Sequence, residues 1–176
     1  MKKITIIGAG IVGIATAAYL RRDGHDVTVI DMRPPGEYTS FGNAGILSPG
    51  SCVPIAMPGI LGKVPGYLMN PLGPLKVRWS YFPQALPWLY RFVTSTGLAQ
   101  IESTADALSS LLSQTFDAHG PLAQHAGCGD LIRKTGYVVV YDTDQAYRND
   151  GLAWKLRRDR GVICNEIDAA GVERLV

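Results

Sequence analysis

The chain has little cysteine, little charge and no long uninterrupted apolar run. Cys52, Cys128 and Cys164 stand far apart without a Cys-x-x-Cys pair, which speaks for free thiols in a reducing compartment and makes the cytoplasm the expected location. His125 and Cys128 form a His-x-x-Cys with no second ligand pair, so no metal is assigned. Charged residues make up 18% of the chain, 17 basic against 15 acidic for a net +2. No long basic run occurs, and nucleic acid is not an expected partner. The densest cluster, Lys155, Arg157, Arg158 and Arg160 around Asp159, reads as a solvated helix face. The most apolar stretch, residues 53–75, holds Pro54, Pro58, Pro65, Pro71 and Pro74, which rules against a spanning helix. The opening Met1-Lys2-Lys3 runs within a few residues into glycines, short of the apolar core of a secretory signal. There is no internal repeat or low-complexity tract.

What is present starts with 176 residues, 47% of them hydrophobic, enough for one sizeable core or for one domain and part of another. Ile4-Thr5-Ile6-Ile7 leads into Gly8-Ala9-Gly10-Ile11-Val12-Gly13 and then a helical run to about Arg22. This reads as strand, glycine turn and helix. Gly8 permits the tight turn, Gly10 lets a pyrophosphate approach bare backbone, and Gly13 lets the helix pack closely on the strand. The N–H groups and partial positive charge of the helix N-terminus bind an anion without a basic side chain, and none occurs between Gly8 and Leu20. Gly24 ends the helix, Val27-Thr28-Val29-Ile30 reads as a buried second strand, and Asp31 stands at its end. Asp31 can accept both ribose hydroxyls of an adenosine and would repel a 2′-phosphate. The pattern predicts dinucleotide binding, with an ordinary glycine-rich turn as the alternative.

After Asp31 a nicotinamide-binding domain would continue with a helix and a third parallel strand. Here the chain goes to Arg33-Pro34-Pro35-Gly36 and a second glycine-rich loop, Thr39-Ser40-Phe41-Gly42-Asn43-Ala44-Gly45-Ile46-Leu47-Ser48-Pro49-Gly50. Its backbone N–H groups can reach a large planar ligand, and Ser40 can donate to phosphate or ribose. A surface loop of common turn residues is the other reading.

The glycines from Gly8 to Gly13, Asp31, and above all Thr39-Ser40-Phe41-Gly42-Asn43-Ala44-Gly45 with Ser48-Pro49-Gly50 resemble the FAD-dependent D-amino-acid dehydrogenases. These belong to the D-amino-acid oxidase and glycine oxidase family of flavoproteins. The resemblance implies FAD as cofactor. It puts the turn Ile7, Gly8, Ala9, Gly10, Ile11, Val12 and Gly13 on the pyrophosphate, and Asp31, with Met32 and Arg33, at the adenosine ribose. Ser40 falls near the phosphates, and Asn43, Ala44, Gly45, Ile46 and Leu47 run beside the isoalloxazine. Oxidation of a D-amino acid to its imino acid is implied, with hydride passing to flavin N5 and electrons handed on to an acceptor such as the respiratory chain. No catalytic side chain is named.

From residue 52 to residue 93 prolines alternate with Trp79, Tyr81, Phe82, Trp88, Tyr90 and Phe92, which predicts short helices and packed loops. These aromatics are expected either to cover the core or to rest on a membrane surface, the inner face of the plasma membrane. Leu98, Ile101, Ala105, Leu108, Leu111, Leu112 and Phe116 recur at helical spacing up to Gly120-Pro121, predicting one amphipathic helix of about five turns. Thr135 to Tyr141 reads as a strand opening a substrate-binding sheet. Asp142-Thr143-Asp144 can cap a helix running to about Arg160, with Gly151 weakening its middle, and a strand over residues 162–167 and a helix capped by Asp168 follow.

The expected fold is therefore α/β: the Rossmann-like FAD-binding βαβ start of a glycine-oxidase-type two-domain flavoprotein. Residues 1–134 are assigned to the FAD-binding domain (βαβ 1–31, flavin loop 39–50, helical region 51–134), and residues 135–176 to the beginning of the substrate domain. Two parallel strands alone need neighbours, so the chain is expected to be an N-terminal portion, completed by a C-terminal half or a partner chain and holding FAD poorly alone. Alternatives are a glycine- or sarcosine-type amine oxidase of the same family, a non-catalytic nucleotide-binding chain, and an NAD-binding domain, which the Arg33-Pro34-Pro35-Gly36 break argues against.

Overall fold

The computed structural model describes residues 1–73 and 75–174, so Pro74, Leu175 and Val176 lie outside the described residues. In chain order the elements are β1 (Lys3–Ile7), α1 (Ile11–Arg22), β2 (Asp26–Ile30), α2 (Ile60–Met69), α3 (Phe82–Thr94), α4 (Leu98–Leu112), α5 (Thr115–His125), α6 (Asp144–Asn149), α7 (Gly151–Asp159) and α8 (Ala169–Glu173), with single 3-10 turns at Trp79–Tyr81 and Gly129–Leu131. They fall into two compact units, Met1–Leu47 with Phe116–Gly136, and Ser48–Thr115 with Tyr137–Val176.

In the first unit, stiff β-branched residues fill β1 and β2, which pair in parallel from Lys3↔Asp26 to Ile7↔Ile30. α1 packs on both strands. Because side chains alternate across a strand, Ile4, Ile6, Val27 and Val29 are half-buried while Thr5, Ile7, Thr28 and Ile30 are exposed. The second strand, expected to be buried, is thus covered on one face only. α1 ends as its sequence predicts: Gly24 takes φ 82°, its N–H donates to the Arg21 carbonyl, and the His25 N–H donates to the Leu20 carbonyl, both at 3.0 Å. Tyr19 donates its hydroxyl to the Ala118 carbonyl at 2.5 Å, fastening α1 to α5 across 99 residues of sequence.

In the second unit, Ile101 and Ala105 of α4 meet Leu156 of α7, with Val53, Met57 and Leu152 packed around them. The Arg160 guanidinium donates to the Glu102 carbonyl at 2.9 Å and pairs with Asp106 at 2.6 Å, tying the end of α7 to α4. Tyr141 donates to Asp150 at 2.6 Å and accepts from the Trp154 indole N–H at 2.7 Å. Burial first, then the Asp150 bond, raises the Tyr141 pKa.

Several expectations from sequence are corrected. The helix predicted to stop at Gly120-Pro121 ends at Leu112, and both residues lie inside α5. Pro121 costs α5 one bond, to the Asp117 carbonyl, on a turn exposed enough for water to replace it. Leu98 and Leu111 of the predicted stripe face solvent. The helix predicted to reach Arg160 is two helices broken at Asp150, the first capped by Thr143, whose hydroxyl accepts from the Ala146 N–H at 3.1 Å. Neither residues 135–141 nor residues 162–167 form a strand. β-propensity alone does not make a ladder, and among the described residues these segments have no strand partner. The Asp168 cap is as predicted, its carboxylate accepting from the Gly171 N–H at 2.8 Å.

Candidate functional site

The site is built where β1 hands over to α1. Gly8 sits at φ 109°, open to glycine and strained for any other residue. Its N–H donates to the Ile30 carbonyl at 2.8 Å, keeping the turn level with the end of β2. Gly13 is required by space: a Cβ there would lie 1.9 Å from the Gly8 carbonyl oxygen. Without that Cβ, α1 starts directly above the strand end.

Asp31 reaches back across the turn. One carboxylate oxygen accepts from the Ala9 N–H at 2.6 Å and the other from the Arg33 N–H at 3.1 Å. The Ala9 bond first, then the Arg33 bond, lowers its pKa below the usual 3.8. Each oxygen keeps a further lone pair, so an ionised Asp31 remains able to accept hydroxyl donors.

The second glycine-rich loop folds onto the first. The Ser40 hydroxyl accepts from the Ile11 N–H at 2.9 Å, in the first turn of α1. Asn43 holds the loop in shape, donating to the Ser40 carbonyl and accepting from the Gly45 N–H, both at 2.7 Å. The Gly36 N–H donates to the Ala9 carbonyl at 2.9 Å. Ala9, Gly10, Ile11, Ile14, Pro35, Gly36, Ser40 and Asn43 together line a cleft of about 310 Å³.

Of the residues predicted from sequence, Ala9, Gly10, Ile11, Ser40 and Asn43 therefore meet in one place, with Gly8 and Gly13 shaping it and Asp31 bound to its edge. Ile7, Val12, Met32 and Ile46 are exposed beyond its lining, as are Ala44, Gly45 and Arg33, and Leu47 is half-buried outside it. Ile14, Pro35 and Gly36 were not anticipated. The signal for the last two was available, since a Pro-Pro-Gly turn directly after the acidic strand end must send the chain back over the glycine loop.

The donor set suits a dinucleotide pyrophosphate. α1 has no acidic residue in its first turn and no side-chain cap from Gly10. The N–H groups of Val12 and Gly13 have no partner among the described residues, so they and the helix dipole offer an anion site backed by bare glycine.

Over residues 3–176 the chain matches the family described as DAO, FAD dependent oxidoreductase. The chain belongs to that family. FAD is accordingly the cofactor of its kind, and the βαβ start is the family's Rossmann-like FAD-binding fold. Among curated relatives, the chain is 46% identical over 171 residues to a D-amino-acid oxidase of Bradyrhizobium diazoefficiens, covering 96% of this chain and 40% of that protein. It is 37% identical over 150 residues to D-amino acid dehydrogenase 2 of Ralstonia nicotianae, covering 82% of this chain and 35% of that protein. To a D-amino acid dehydrogenase of Phenylobacterium zucineum it is 31% identical over 170 residues, covering 96% and 40%. The chain thus spans at most 40% of the length of these relatives. No solved structure matches it.

Proposed function

We propose that this chain is the N-terminal portion of an FAD-dependent enzyme that oxidises the C–N bond of D-amino acids to imino acids. The observation that carries the reading is the closure of the loop from Ser40 to Asn43 onto the α1 N-terminus, which brings two glycine-rich segments to one cleft. The names of the three relatives support the substrate class. Residues 1–134 are proposed as FAD-binding and residues 135–176 as the start of the substrate domain.

In this reading Gly8, Gly10 and Gly13 keep side chains away from the pyrophosphate, while the Val12 and Gly13 N–H groups donate to it. Asp31 receives the ribose hydroxyls as a carboxylate, a form that the Ala9 and Arg33 N–H groups favour. Ser40 donates to a phosphate while accepting from Ile11, and Asn43 to Leu47 lie along the flavin edge. FAD, when bound, supplies the two-electron acceptor. The substrate loses a hydride from its α-carbon and a proton from its nitrogen. The protein is proposed to work in the cytoplasm, passing electrons to the respiratory chain.

The test offers the flavin-loaded protein D-amino acids, L-amino acids, glycine and sarcosine without oxygen. Bleaching of the oxidised flavin absorption by D-amino acids alone is expected. Bleaching by glycine or sarcosine alone would replace the reading with an amine oxidase, and a protein that prefers NAD to FAD would overturn both. The relative named an oxidase favours oxygen as a second possible acceptor, and peroxide formed with each turnover in air would decide for it.

A further inference from the structure

Four positions after Leu47, the chain reaches Ser51 and enters a second cleft. It has a volume of about 460 Å³, is bounded by residues 51 and 53–56, the end of α3 and one face of α4, and lies wholly within the second unit. Its walls are apolar. Val53 packs against the core of Ile101, Ala105 and Leu156, and Leu108 stands one turn after Thr104 on α4. The Phe92 ring is held by stacking on Trp88, with 5.2 Å between centroids. Ile55 lines the cleft while 82% exposed, an apolar surface left to solvent. Among the described residues, none that lines it is charged. Its side-chain polar groups are the hydroxyls of Ser51, Ser95 and Thr104. Ser51 shares a hydrogen bond with Ser48 at 2.7 Å. Ser95 donates to the Phe92 carbonyl and Thr104 to the Gln100 carbonyl, both at 2.8 Å. With their only protons committed, Ser95 and Thr104 accept and do not donate.

We infer that this cleft receives the side chain of the substrate, and that the side chain is an aromatic ring, best one with a hydrogen-bond donor at its edge, as in D-tyrosine and D-tryptophan. The inference deepens the D-amino-acid reading above and rests on it. A carboxylate or ammonium group would lose hydration there with no counter-charge to meet it, and a phosphate would find no cation. Acidic side chains, basic side chains and nucleotides are thereby excluded. The methyl group of D-alanine would leave most of the cleft to water. An aromatic ring instead removes its own apolar surface and that of Ile55, Phe92 and Leu108 from water. The proton of a phenol or indole meets an acceptor at Ser95 or Thr104, which D-phenylalanine leaves unused.

The flavin-loaded full-length enzyme is mixed without oxygen with D-tyrosine, D-tryptophan, D-phenylalanine, D-alanine, D-aspartate or D-lysine, and the second-order rate constant of flavin bleaching is measured. A constant at least about tenfold higher for D-phenylalanine than for D-alanine is expected, with a further factor of about threefold to tenfold for D-tyrosine and the two charged substrates lowest. Thr104→Val combined with Ser95→Ala should remove that further factor, and Leu108→Glu should raise D-lysine relative to D-phenylalanine by at least about tenfold. Indole should raise the concentration of D-phenylalanine needed for half-maximal bleaching rate and not that of D-alanine, which leaves the cleft free. The substrate panel and the indole competition use the parent protein, so neither depends on a variant that folds. Indole competing equally with both substrates, or D-alanine or D-aspartate bleaching the flavin as fast as D-phenylalanine, would overturn the inference and leave the D-amino-acid reading standing. Indole competing with neither would overturn it too, making the remainder of the protein's chain the occupant of the cleft. Bleaching by no D-amino acid would remove both.

Discussion

The two units of this chain are ordered by different physics. In Met1–Leu47 with Phe116–Gly136, the buried apolar residues among those described are only Ala9 and Ala17, yet the glycine turn is closely determined. Its shape comes from backbone requirements: a left-handed Gly8, a Gly13 with no room for a Cβ, and hydrogen bonds from Asp31 and Ser40 to backbone N–H groups. In Ser48–Thr115 with Tyr137–Val176, Ile101, Ala105 and Leu156 make an apolar core, Cys52 and Ala153 are also buried, and long-range polar ties such as Arg160 to Glu102 reinforce it. The first unit is therefore sensitive where a side chain would be added, and the second where one is removed.

The largest expected effect follows from adding one. Gly13→Ala would place a Cβ at 1.9 Å from the Gly8 carbonyl oxygen, an overlap of backbone that no rotamer relieves. A cost above about 4 kcal/mol at the turn is expected, with FAD no longer retained through desalting by the flavin-loaded enzyme of which this chain is proposed to be the N-terminal portion, while the helical content of the second unit persists. Retained flavin would mean that α1 can shift off β1, and that the turn is less determined than its geometry implies.

Removing a side chain comes next. Leu156 is 2% exposed in the core of the second unit, and Leu156→Ala should lower stability by about 3 kcal/mol, read as a shift in the denaturation midpoint. If FAD affinity falls as steeply as stability, the two units do not behave separately.

The difference also explains which parts of the fold were legible in the sequence. Gly8, Gly13, Gly24 and Asp31 act through constraints local to a few residues, so their spacing alone located β1, α1, β2 and the turn. The caps at Thr143 and Asp168 are equally local, and both helix starts followed. Tyr137 to Val140 depended on something else. Their β-branched and aromatic side chains favour a strand, but a strand exists only with a partner, and propensity carries no information about partners. The α4 stripe was half right for the same reason: spacing identified Ile101 and Ala105, whereas only packing decides that Leu111 points outward. Pro35 and Gly36 entered the cleft because the chain folds back after β2, a consequence of tertiary path that residue type only hints at.

Asp31 offers a test by pH. Its pKa is lowered in the folded chain by the Ala9 and Arg33 N–H groups, so its stabilising contribution is fully present above the ordinary value of 3.8 and is lost as pH falls through the folded value. Asp31→Asn should therefore reduce stability at neutral pH, and the gap to the parent should close as the solution is acidified below 3.8. A gap independent of pH would show that the bond to Ala9 gains nothing from the charge.

The smallest effect concerns Ser40, and its sign is the informative part. Gly10 has no side chain to cap α1, and the Ser40 hydroxyl, 29 residues away in sequence, takes the Ile11 N–H instead. Losing such a cap costs about 1 kcal/mol, so Ser40→Ala should lower the stability of the flavin-free protein by that amount. The hydroxyl uses a lone pair toward Ile11 and keeps its proton free to donate to a phosphate oxygen. The variant should then also bind FAD about fivefold to tenfold more weakly, as expected for one lost hydrogen bond to a charged group. Tighter binding would mean that Ser40 occupies a position the pyrophosphate needs, making the loop a competitor of the cofactor. Unchanged stability would mean that Asn43 and Gly36 hold the loop without it, and that the link between the two glycine-rich segments lies in their backbones.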